Sequence, residues 1–422
     1  MKILWLCNIV IPGFETKTGS EASLTGGWLV DFFYRLSNNP EFQLSVCFPN
    51  QNACSGNNQG INYYAFCRSN VFSYSKAIEN YFFDVLEKEK PDLIHIWGTE
   101  FPHALAMINA CEHVGLLDKT VISIQGIISL YGNQTDHYFA GLSSRVIRKH
   151  TIRDLLRNDN VWMQREKFSV RGEFEIQALK KAKHVIGRTD WDFAAVIRIN
   201  PELNYHKCNE SLRECFYSDS WSYDMCEKHS VFVSQCSYPL KGFHKALEAL
   251  NIVKNKYPDV HLYTTGQDIM NKSFLSYQRG TYYQLYLAKL IKCYHLQKNI
   301  TFCGALNGEQ MKERLLKANL FVLPSSVENS SNSLGEAMLL GVPCVASDVG
   351  GTRSMLSSGI EGYLYPFNET YLLDRYIDEI FSNRELAEMF SQNSRNKARQ
   401  RHDQKHNYQQ LLSIYNDIMH TN

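Results

Sequence analysis

Short apolar runs alternate with helical patterns along most of the chain. In the first half, runs typical of buried strands cover residues 2–9, 42–48, 92–97, 120–125 and 184–187. One helix between them is predicted by an apolar stripe at helical spacing, formed by Trp28, Leu29, Phe32, Phe33 and Leu36. Because strands that alternate with helices usually build parallel sheets, this half predicts a parallel sheet with crossover helices.

Residues 200–228 interrupt the alternation with a polar, Tyr-rich stretch that has no clear period, and we interpret it as a connection. The alternation then restarts, with predicted strands at 230–235, 260–266, 299–304, 320–324 and 343–348 and helices at 241–256 and 307–318. The sequence therefore predicts two doubly wound α/β domains, at 1–205 and 206–404. From about Leu372 the tail is helical and expected to pack on the outside, and a last helix at about 405–422 is a candidate to pack back on the first domain.

Composition and charge favour a globular protein without a nucleic-acid partner. With 44% hydrophobic residues among 422, each domain has enough apolar side chains for its own core. Lysine and arginine number 44 against 43 acidic residues, so no excess charge indicates nucleic-acid binding. The apolar run from Met1 to Cys7 is too short for a signal peptide, and no run is long enough to span a membrane, which predicts a cytoplasmic protein.

The 12 cysteines are scattered from Cys7 to Cys344 without any C-x-x-C pair. This pattern is more typical of buried thiols in a reducing compartment than of disulfides or a zinc site. No D-x-D motif or cluster of histidine and carboxylate residues occurs in a suitable loop, so we expect neither a catalytic metal nor another cofactor.

The segment from Phe321 to Gly341 has the strongest signal for a binding site. An apolar strand ends near Pro324, a loop rich in Ser and Asn follows, and a helix is predicted to begin near Asn332 or Ser333. Backbone amides and the dipole at such a helix start favour a diphosphate. Acids that flank this turn are better suited to hydroxyl groups of a sugar or ribose than to phosphate.

Those two acids are Glu328 and Glu336, and both have simpler explanations. Ser333 and Glu336 fit the S-x-x-E pattern of a helix capping box. Glu328 would equally suit a solvated loop.

Several motifs together resemble the retaining glycosyltransferases of family 4. Glu328 and Glu336 have the E-x7-E spacing of that family, residues 302–306 look like its F-x-G-x-L segment, and residues 337–343 and 350–351 are similar to the segments that follow. The resemblance is strong from about residue 230 to 366 and looser in the first half. It implies the GT-B fold, in which two Rossmann-like, doubly wound domains face a cleft.

The resemblance also implies roles for individual residues of the second domain. Glu336 would hold the ribose of a nucleotide-sugar donor, and Glu328 would contact the transferred sugar as a catalytic group. A further set would surround the donor, with Lys241 a catalytic cation at the phosphates: Gln235, Lys241, Gly304, Leu306, Asn332, Ser333 and Leu334. A surface lysine at a helix start is the alternative for Lys241.

The sequence departs from the family where an arginine usually accompanies the lysine. Gln235 or Cys236 stands near that position. Arg188, at the end of a predicted strand, is a candidate replacement, and a structural ion pair is its alternative. In the first half, Gly26 and Gly27 at a helix start would let backbone approach the donor, although an ordinary turn would explain them equally well.

The first domain also contains a catalytic candidate, Gln125, and three candidates for the acceptor side, His95, His103 and Arg188. Gln125 stands near the place where family members have a histidine, and we include it among the catalytic candidates. His95 lies in the predicted strand 92–97 and His103 follows it, and both could contact an acceptor, with a structural role as the alternative.

Residues 143–157 interleave apolar side chains with five cations, from Arg145 to Arg157. The period allows one amphipathic basic helix that rests on an anionic membrane surface, where a lipid-linked acceptor would be found. A solvated helix that packs by its apolar face is the alternative.

Taken together, the sequence predicts a retaining, metal-independent glycosyltransferase that moves a sugar from a nucleotide-diphosphate sugar to a glycan or glycolipid hydroxyl, as in surface polysaccharide synthesis. Two kinds of alternative stay open. One is another enzyme on the same architecture, such as an inverting transferase or a nucleotide-sugar epimerase. The other is a catalytically silent protein that binds nucleotide sugars. A nicotinamide dehydrogenase is disfavoured because no G-x-G-x-x-G motif follows the first strand.

Overall fold

The computed structural model describes residues 1–18, 26–68, 70–133, 135–270 and 280–420. The chain forms two compact units. The first consists of Met1–Asn133, Phe168–Arg213 and His402–Asn422, and the second of Gln134–Lys167 and Glu214–Arg401. In the described part of the chain, no helix is both long enough and apolar enough to cross a membrane.

The first unit contains a mostly parallel sheet in the order β3-β4-β2-β1-β5-β6-β7-β8, in which only the β3–β4 pair is antiparallel. Its strands are β1 (Lys2–Cys7), β2 (Gln43–Asn50), β3 (Cys54–Asn58), β4 (Ile61–Cys67), β5 (Leu93–Trp97), β6 (Thr120–Ser123), β7 (His184–Gly187) and β8 (Asn204–Lys207). Its helices are Glu15–Thr18, Gly27–Ser37, Lys76–Glu89, Pro102–His113, Ile128–Asn133, Asp190–Ile199 and Gln404–His420, with a 3-10 turn at Leu117–Lys119. The helix Val161–Lys181 belongs partly to each unit.

The second unit contains a parallel sheet in the order β11-β10-β9-β12-β13-β14. Its strands are β9 (Glu227–Val233), β10 (His261–Thr264), β11 (Ile300–Phe302), β12 (Ala318–Leu323), β13 (Cys344–Ser347) and β14 (Tyr363–Tyr365). Its helices are Thr135–Phe139, Ser144–Arg148, Ile152–Arg157, Phe243–Lys256, Tyr282–Cys293, Gly308–Lys317, Asn332–Leu340, Thr370–Ser382 and Arg384–Arg401, with 3-10 turns at Glu214–Phe216, Pro239–Lys241 and Thr352–Ser354.

The prediction of two doubly wound α/β units is confirmed, and each strand predicted from an apolar run is present with shorter or slightly shifted ends. Four strands were not predicted: Cys54–Asn58, Ile61–Cys67, Asn204–Lys207 and Tyr363–Tyr365. Strand β8 lies inside the stretch interpreted as a connection. Its sequence is polar and its side chains are half-buried or exposed, so it lacks the apolar run that marks a buried strand.

Residues 134–167 group with the second unit, whereas the sequence placed them in the first domain. Hydrogen bonds attach this segment to the rest of the second unit. His244 Nε2 lies 2.8 Å from the carbonyl oxygen of Ala140, and Tyr282 N donates to Asp154 Oδ2 at 2.8 Å. These contacts join residues more than 100 positions apart, which local periodicity does not reveal.

The last helix packs on the sheet of the first unit through a buried chain of hydrogen bonds. Trp5 Nε1 donates to the hydroxyl oxygen of Tyr415 at 3.1 Å, and that oxygen lies 2.6 Å from His95 Nδ1. The hydroxyl of Tyr415 therefore bridges the buried indole N–H and the imidazole ring. Leu411, Ile414 and Tyr415 are at most 2% exposed, so this helix contributes to the core beneath it.

We expect Tyr415→Phe to lower the free energy of unfolding of the first unit by about 1–3 kcal/mol, because it leaves the buried indole N–H of Trp5 and the ring nitrogen of His95 without a partner. Urea unfolding followed by tryptophan fluorescence would measure the change. Tyr371→Phe is the matched control, since Tyr371 is 64% exposed and the change there should stay within about 0.5 kcal/mol. Equal effects of the two substitutions would contradict the role given to Tyr415.

Candidate functional site

Two loops meet beyond the carboxyl ends of β9 and β12, and they bring Lys241 and Glu328 into contact. Lys241 ends the 3-10 turn that follows β9, and Glu328 lies in the loop after β12. Lys241 Nζ is 2.5 Å from Glu328 Oε1, and Ser325 Oγ donates to the same oxygen at 2.7 Å. Ligands of open parallel sheets bind at this edge, so the position suits a binding site.

The pair is shielded from solvent but not sealed. The Lys241 side chain is 25% exposed and the Glu328 side chain 12%. Burial disfavours the charged ammonium, but the adjacent carboxylate more than offsets this and raises the pKa of Lys241 above its ordinary value. Lys241 is therefore a permanent cation, and part of it is open to a ligand.

Glycines let the backbone close tightly around this pair. Gly242 has φ +63°, and a Cβ there would overlap the carbonyl oxygen of Pro324. Gly350 has φ +51°, and a Cβ there would overlap the carbonyl oxygen of Glu328, which also accepts a hydrogen bond from Gly351 N at 2.9 Å. Glycine at these two positions thus allows the close backbone packing that positions the Cα atoms of Lys241 and Glu328.

The helix Asn332–Leu340 begins shortly after Glu328, and it does not begin with the capping box that was the simpler explanation of Glu336. Its N-cap is Ser331, whose side chain accepts a hydrogen bond from Leu334 N at 3.4 Å. Ser333 lies inside the first turn instead, where its hydroxyl is 3.1 Å from that of Ser234, which follows β9. Ser333 is therefore not the N-cap, and the capping-box alternative for Glu336 does not apply.

Glu336 consequently needs another explanation. It lies within the helix and is 4% exposed, and it has polar interactions inside the protein. A carboxylate is seldom buried to this degree without a structural or functional reason. Asn332 and Ser333 are half-buried in the first turn, whereas Leu334 is fully buried.

The other predicted donor residues lie after neighbouring strands of the same sheet. Gln235 is half-buried and follows β9, and Leu306 is half-buried in the loop after β11. Gly304 has φ +72°, and its carbonyl oxygen accepts a hydrogen bond from Gly266 N at 2.9 Å. Since β11, β10 and β9 are adjacent, these residues share one edge of the sheet with Lys241.

In the first unit, Arg188 and Gln125 belong to one buried polar cluster. The Arg188 guanidinium is 4% exposed, forms an ion pair with Glu210, and donates to the carbonyl oxygen of Gln125 at 3.0 Å. Gln125 Nε2 donates to the other carboxylate oxygen of Glu210 at 2.5 Å. Arg188 therefore has the structural ion pair that was the alternative to a phosphate contact. Glu210, which the sequence analysis did not single out, lies outside any apolar run.

The two candidate histidines occupy different environments. His95 is 0% exposed, its ring nitrogens face Tyr415 and Ser123, and burial lowers its pKa well below the ordinary value. The structure corrects its assignment as an acceptor contact, because no surface of the ring can reach a ligand. His103 is only half-buried, and its Nε2 lies 2.6 Å from Asn8 Oδ1.

Gly26 and Gly27 have a packing role within the first unit. Gly26 is the N-cap of the helix Gly27–Ser37 with φ +93°, and a Cβ there would overlap the side chain of Ile9. A Cβ at Gly27 would overlap the side chain of Arg213. Residues 19–25, which precede this pair of glycines, lie outside the described part of the chain.

Glu100 is a site residue that sequence reasoning missed. It lies just beyond β5, and Asn8 Nδ2 donates to its Oε2 at 2.6 Å. Burial raises the pKa of Glu100 to about 7. The position of Glu100 shortly after a predicted strand could have marked it as a site residue. The shift of its pKa depends on the three-dimensional packing, which the sequence does not reveal. Among the described residues, no group of three or more His, Cys, Asp or Glu side chains is arranged to hold a metal ion.

Residues 221–397 match the family model described as glycosyl transferases group 1. N-acetyl-alpha-D-glucosaminyl L-malate synthase of Bacillus anthracis is 26% identical over 133 residues, which are 32% of this chain and 34% of that protein. Alpha-D-kanosaminyltransferase of Streptomyces kanamyceticus is 26% identical over 132 residues, 31% of this chain and 34% of its own length. The matches thus span about a third of these curated relatives.

Solved structures resemble the whole chain at low sequence identity. Sucrose-phosphate synthase from Thermosynechococcus elongatus has a TM-score of 0.72 at 14% identity, with 99% of each chain covered. HepE from Anabaena, solved with UDP and glucose, has a TM-score of 0.67 at 16% identity, with 99% of this chain and 100% of that chain covered. WaaG, a glycosyltransferase involved in lipopolysaccharide biosynthesis, has a TM-score of 0.64 at 12% identity over 99% of this chain and all of its own.

These likenesses establish the fold, and the family model identifies the part of the chain that contains the Lys241–Glu328 contact. The protein has the GT-B fold, and its residues 221–397 are similar to the group 1 glycosyl transferases.

Proposed function

We propose that the protein transfers a sugar from a nucleotide-diphosphate sugar to a hydroxyl of a glycan or glycolipid, with retention of the anomeric configuration. The observation that carries this proposal is the contact of Lys241 with Glu328 beside the first turn of the helix Asn332–Leu340. The names of the relatives support it, since the curated ones include sugar transferases and HepE was solved with UDP and with UDP-glucose.

The donor diphosphate would lie at the first turn of the helix Asn332–Leu340. Amides there and the ammonium of Lys241 would attract it, because both present positive charge to the same edge of the sheet. As Lys241 turns toward phosphate, Glu328 becomes available to accept hydrogen bonds from hydroxyls of the transferred sugar. Glu336 would accept hydrogen bonds from the ribose.

Transfer would proceed mainly through stabilisation of the leaving group. The bond from the anomeric carbon to the diphosphate oxygen breaks while the acceptor oxygen bonds to the same face of that carbon. The acceptor proton passes to the departing diphosphate, whose charge Lys241 stabilises. The proposal gives no step to a protein base or a metal ion, and it assigns Gln125 a polar contact on the acceptor side.

A second candidate function is binding of nucleotide sugars without turnover. The ion pair of Arg188 with Glu210 favours it, because an arginine that is paired within the first unit does not supply the second positive charge at the donor phosphates. Turnover with a competent acceptor would exclude a silent binder. The anomer of the product would separate retention from inversion, and an epimerase would alter the donor sugar without an acceptor.

We also propose that the protein contacts an anionic membrane surface through residues 143–157, on the cytoplasmic side. Instead of the single helix predicted, this segment has two short ones, Ser144–Arg148 and Ile152–Arg157. Ile152, Leu155 and Leu156 are 66%, 52% and 82% exposed, so packing by the apolar face does not explain the second helix. Exposed cations lie along the same segment: Arg145, Arg148, Lys149 and Arg157. Exposed apolar side chains beside cations are typical of a surface that rests on anionic lipid.

We expect Lys241→Gln to reduce turnover by about 100-fold or more, because glutamine keeps a hydrogen bond to Glu328 but removes the charge that stabilises the diphosphate. Product formation from a UDP-sugar would be measured by mass spectrometry. Lys256→Gln is the control, since Lys256 forms an ion pair with Asp378 at the surface. Undiminished turnover of the Lys241 variant would show that this lysine does not meet the leaving group.

We expect Glu336→Gln to weaken binding of the nucleotide sugars that wild type binds among UDP-, GDP- and ADP-sugars while leaving the fold intact, because the amide accepts ribose hydroxyls less strongly. A thermal-shift series measures this, since a ligand at 100 times its Kd stabilises the folded protein by about 2.7 kcal/mol. Glu361→Gln provides the control, as Glu361 is a buried acid that forms an ion pair with Lys397. An unchanged donor response of the Glu336 variant would refute its ribose role.

We expect the double substitution Leu155→Asp, Leu156→Asp to weaken binding to phosphatidylglycerol vesicles by at least about 10-fold. Burying one leucine side chain in the membrane stabilises the bound state by about 1.5–3 kcal/mol, and the substitution removes this contribution at both positions. Co-sedimentation at low salt measures the effect. Ile360→Asp is the control, since Ile360 is 55% exposed in the same unit. Equal binding of wild type to phosphatidylcholine and phosphatidylglycerol vesicles would contradict the proposed surface.

A further inference from the structure

A cavity of about 270 Å³ opens in the first unit, beyond the carboxyl ends of β1, β2, β4 and β5. Its lining combines apolar and aromatic side chains, among them Phe66 and Phe101, with a few polar ones, Asn8, Arg68 and His103. Small-molecule sites typically have this mixture, and their volumes begin at about 300 Å³. The cavity therefore suits one ring rather than a chain of several sugars.

Aromatic contacts make one wall of the cavity flat and rigid. The rings of Phe101 and His103 are stacked, with centroids 5.5 Å apart and an angle of 13° between their planes. Phe66 meets His103 edge-on at 5.1 Å, and Phe66 is only 2% exposed. A sugar ring can lay its C–H face against such a wall while its hydroxyls point elsewhere.

A hydrogen-bond chain fixes the polar atoms of the lining. His103 Nε2 is 2.6 Å from Asn8 Oδ1, and Asn8 Nδ2 donates to Glu100 Oε2 at 2.6 Å. Since Asn8 Oδ1 is an acceptor, the proton of His103 resides on Nε2 and its Nδ1 can accept. Burial lowers the pKa of His103 to about 3, so the ring is neutral.

In this chain, two of the lining residues each keep one polar group that no described residue occupies. The amide nitrogen of Asn8 has a second hydrogen, for which the described residues provide no acceptor, and His103 Nδ1 likewise has no hydrogen-bond partner there. Sugar hydroxyls both donate and accept, so they match this arrangement. Glu100 does not line the cavity, and it acts as a positioning residue that holds the Asn8 amide in one orientation.

Arg68 adds a positive charge to the lining. Its side chain is exposed, and within the described part of the chain its guanidinium forms no ion pair. Guanidinium groups bind carboxylate and phosphate in a bidentate manner. Burial raises the pKa of Glu100 to about 7, so at neutral pH this carboxyl carries only part of its negative charge and repels an anion less.

We propose that this cavity binds a single sugar ring that bears an anionic group, with Arg68 as the contact for the anion and Asn8 and His103 as the contacts for ring hydroxyls. The site is the acceptor site of the transfer, a statement that rests on the proposed function. The binding itself does not depend on it.

The experiment uses the full chain and four probes in isothermal titration calorimetry: methyl glucuronide, glucose 1-phosphate, methyl glucoside and inorganic phosphate. We expect both anionic sugars to bind at least 10-fold more tightly than methyl glucoside or inorganic phosphate. Whichever anionic sugar binds more tightly identifies its anionic group, carboxylate or phosphate, as the one that the cavity prefers. In Arg68→Gln this preference should disappear while the affinity for methyl glucoside stays within twofold.

Two further variants separate recognition from unspecific charge effects. Glu100→Ala should weaken methyl glucoside about 10-fold, because it removes the oxygen that holds the Asn8 amide in one orientation. Arg353→Gln, at a 76% exposed arginine of the second unit, should change nothing.

The proposal is overturned if the anionic sugars bind no better than methyl glucoside, if no probe binds at 10 mM, or if Arg68→Gln leaves the preference intact. A parallel thermal shift with the donor sugars distinguishes this failure from failure of the proposed function. Donor response without binding of an anionic sugar refutes only the cavity, and the reverse result refutes only the transferase assignment.

Discussion

The ion pair between Lys241 and Glu328 is the constraint on which the site of the second unit depends. It joins the loop after β9 to the loop after β12, two neighbouring strands of one parallel sheet. The backbone around it admits no side chain at Gly242, and Ser325 occupies part of the carboxylate. Each partner is therefore held at a known place before any ligand arrives.

This pairing also limits what can bind. A ligand that takes Lys241 away from Glu328 must compensate a partly buried carboxylate, since separating such a pair leaves an uncompensated charge. Neutral sugars lack the charge to do so alone. A diphosphate with an attached sugar can compensate both partners of the ion pair. The phosphate charge replaces the carboxylate at the lysine, and the sugar hydroxyls donate hydrogen bonds to Glu328.

The parts of this architecture that the sequence reveals are those with a local physical signature. Buried strands such as β1 and β12 are continuous apolar runs, and their places were predicted. The edge strand β3, with Gly56 and two asparagines, has no such run. Ser331 and Ser333 both satisfy helix-cap chemistry, so only the backbone decides between them. The burial of His95 beneath Tyr415 depends on residues 320 positions apart, which no local pattern encodes.

The departure from the family at Gln235 and Cys236 has a structural reason in the packing of β9 and β10. Cys236 is 3% exposed, its thiol lies 3.3 Å from the carbonyl oxygen of Thr265, and a Cβ at Gly266 would be 3.1 Å from its sulfur. A guanidinium could not replace this thiol without moving the neighbouring loop. Since Arg188 is already paired with Glu210, leaving-group stabilisation in the proposed reaction would rest on Lys241 together with the helix amides near Ser333. The tight loop geometry around Gly242 then matters more, because the fixed charge of Lys241 has to be in place without help from a second cation at position 236.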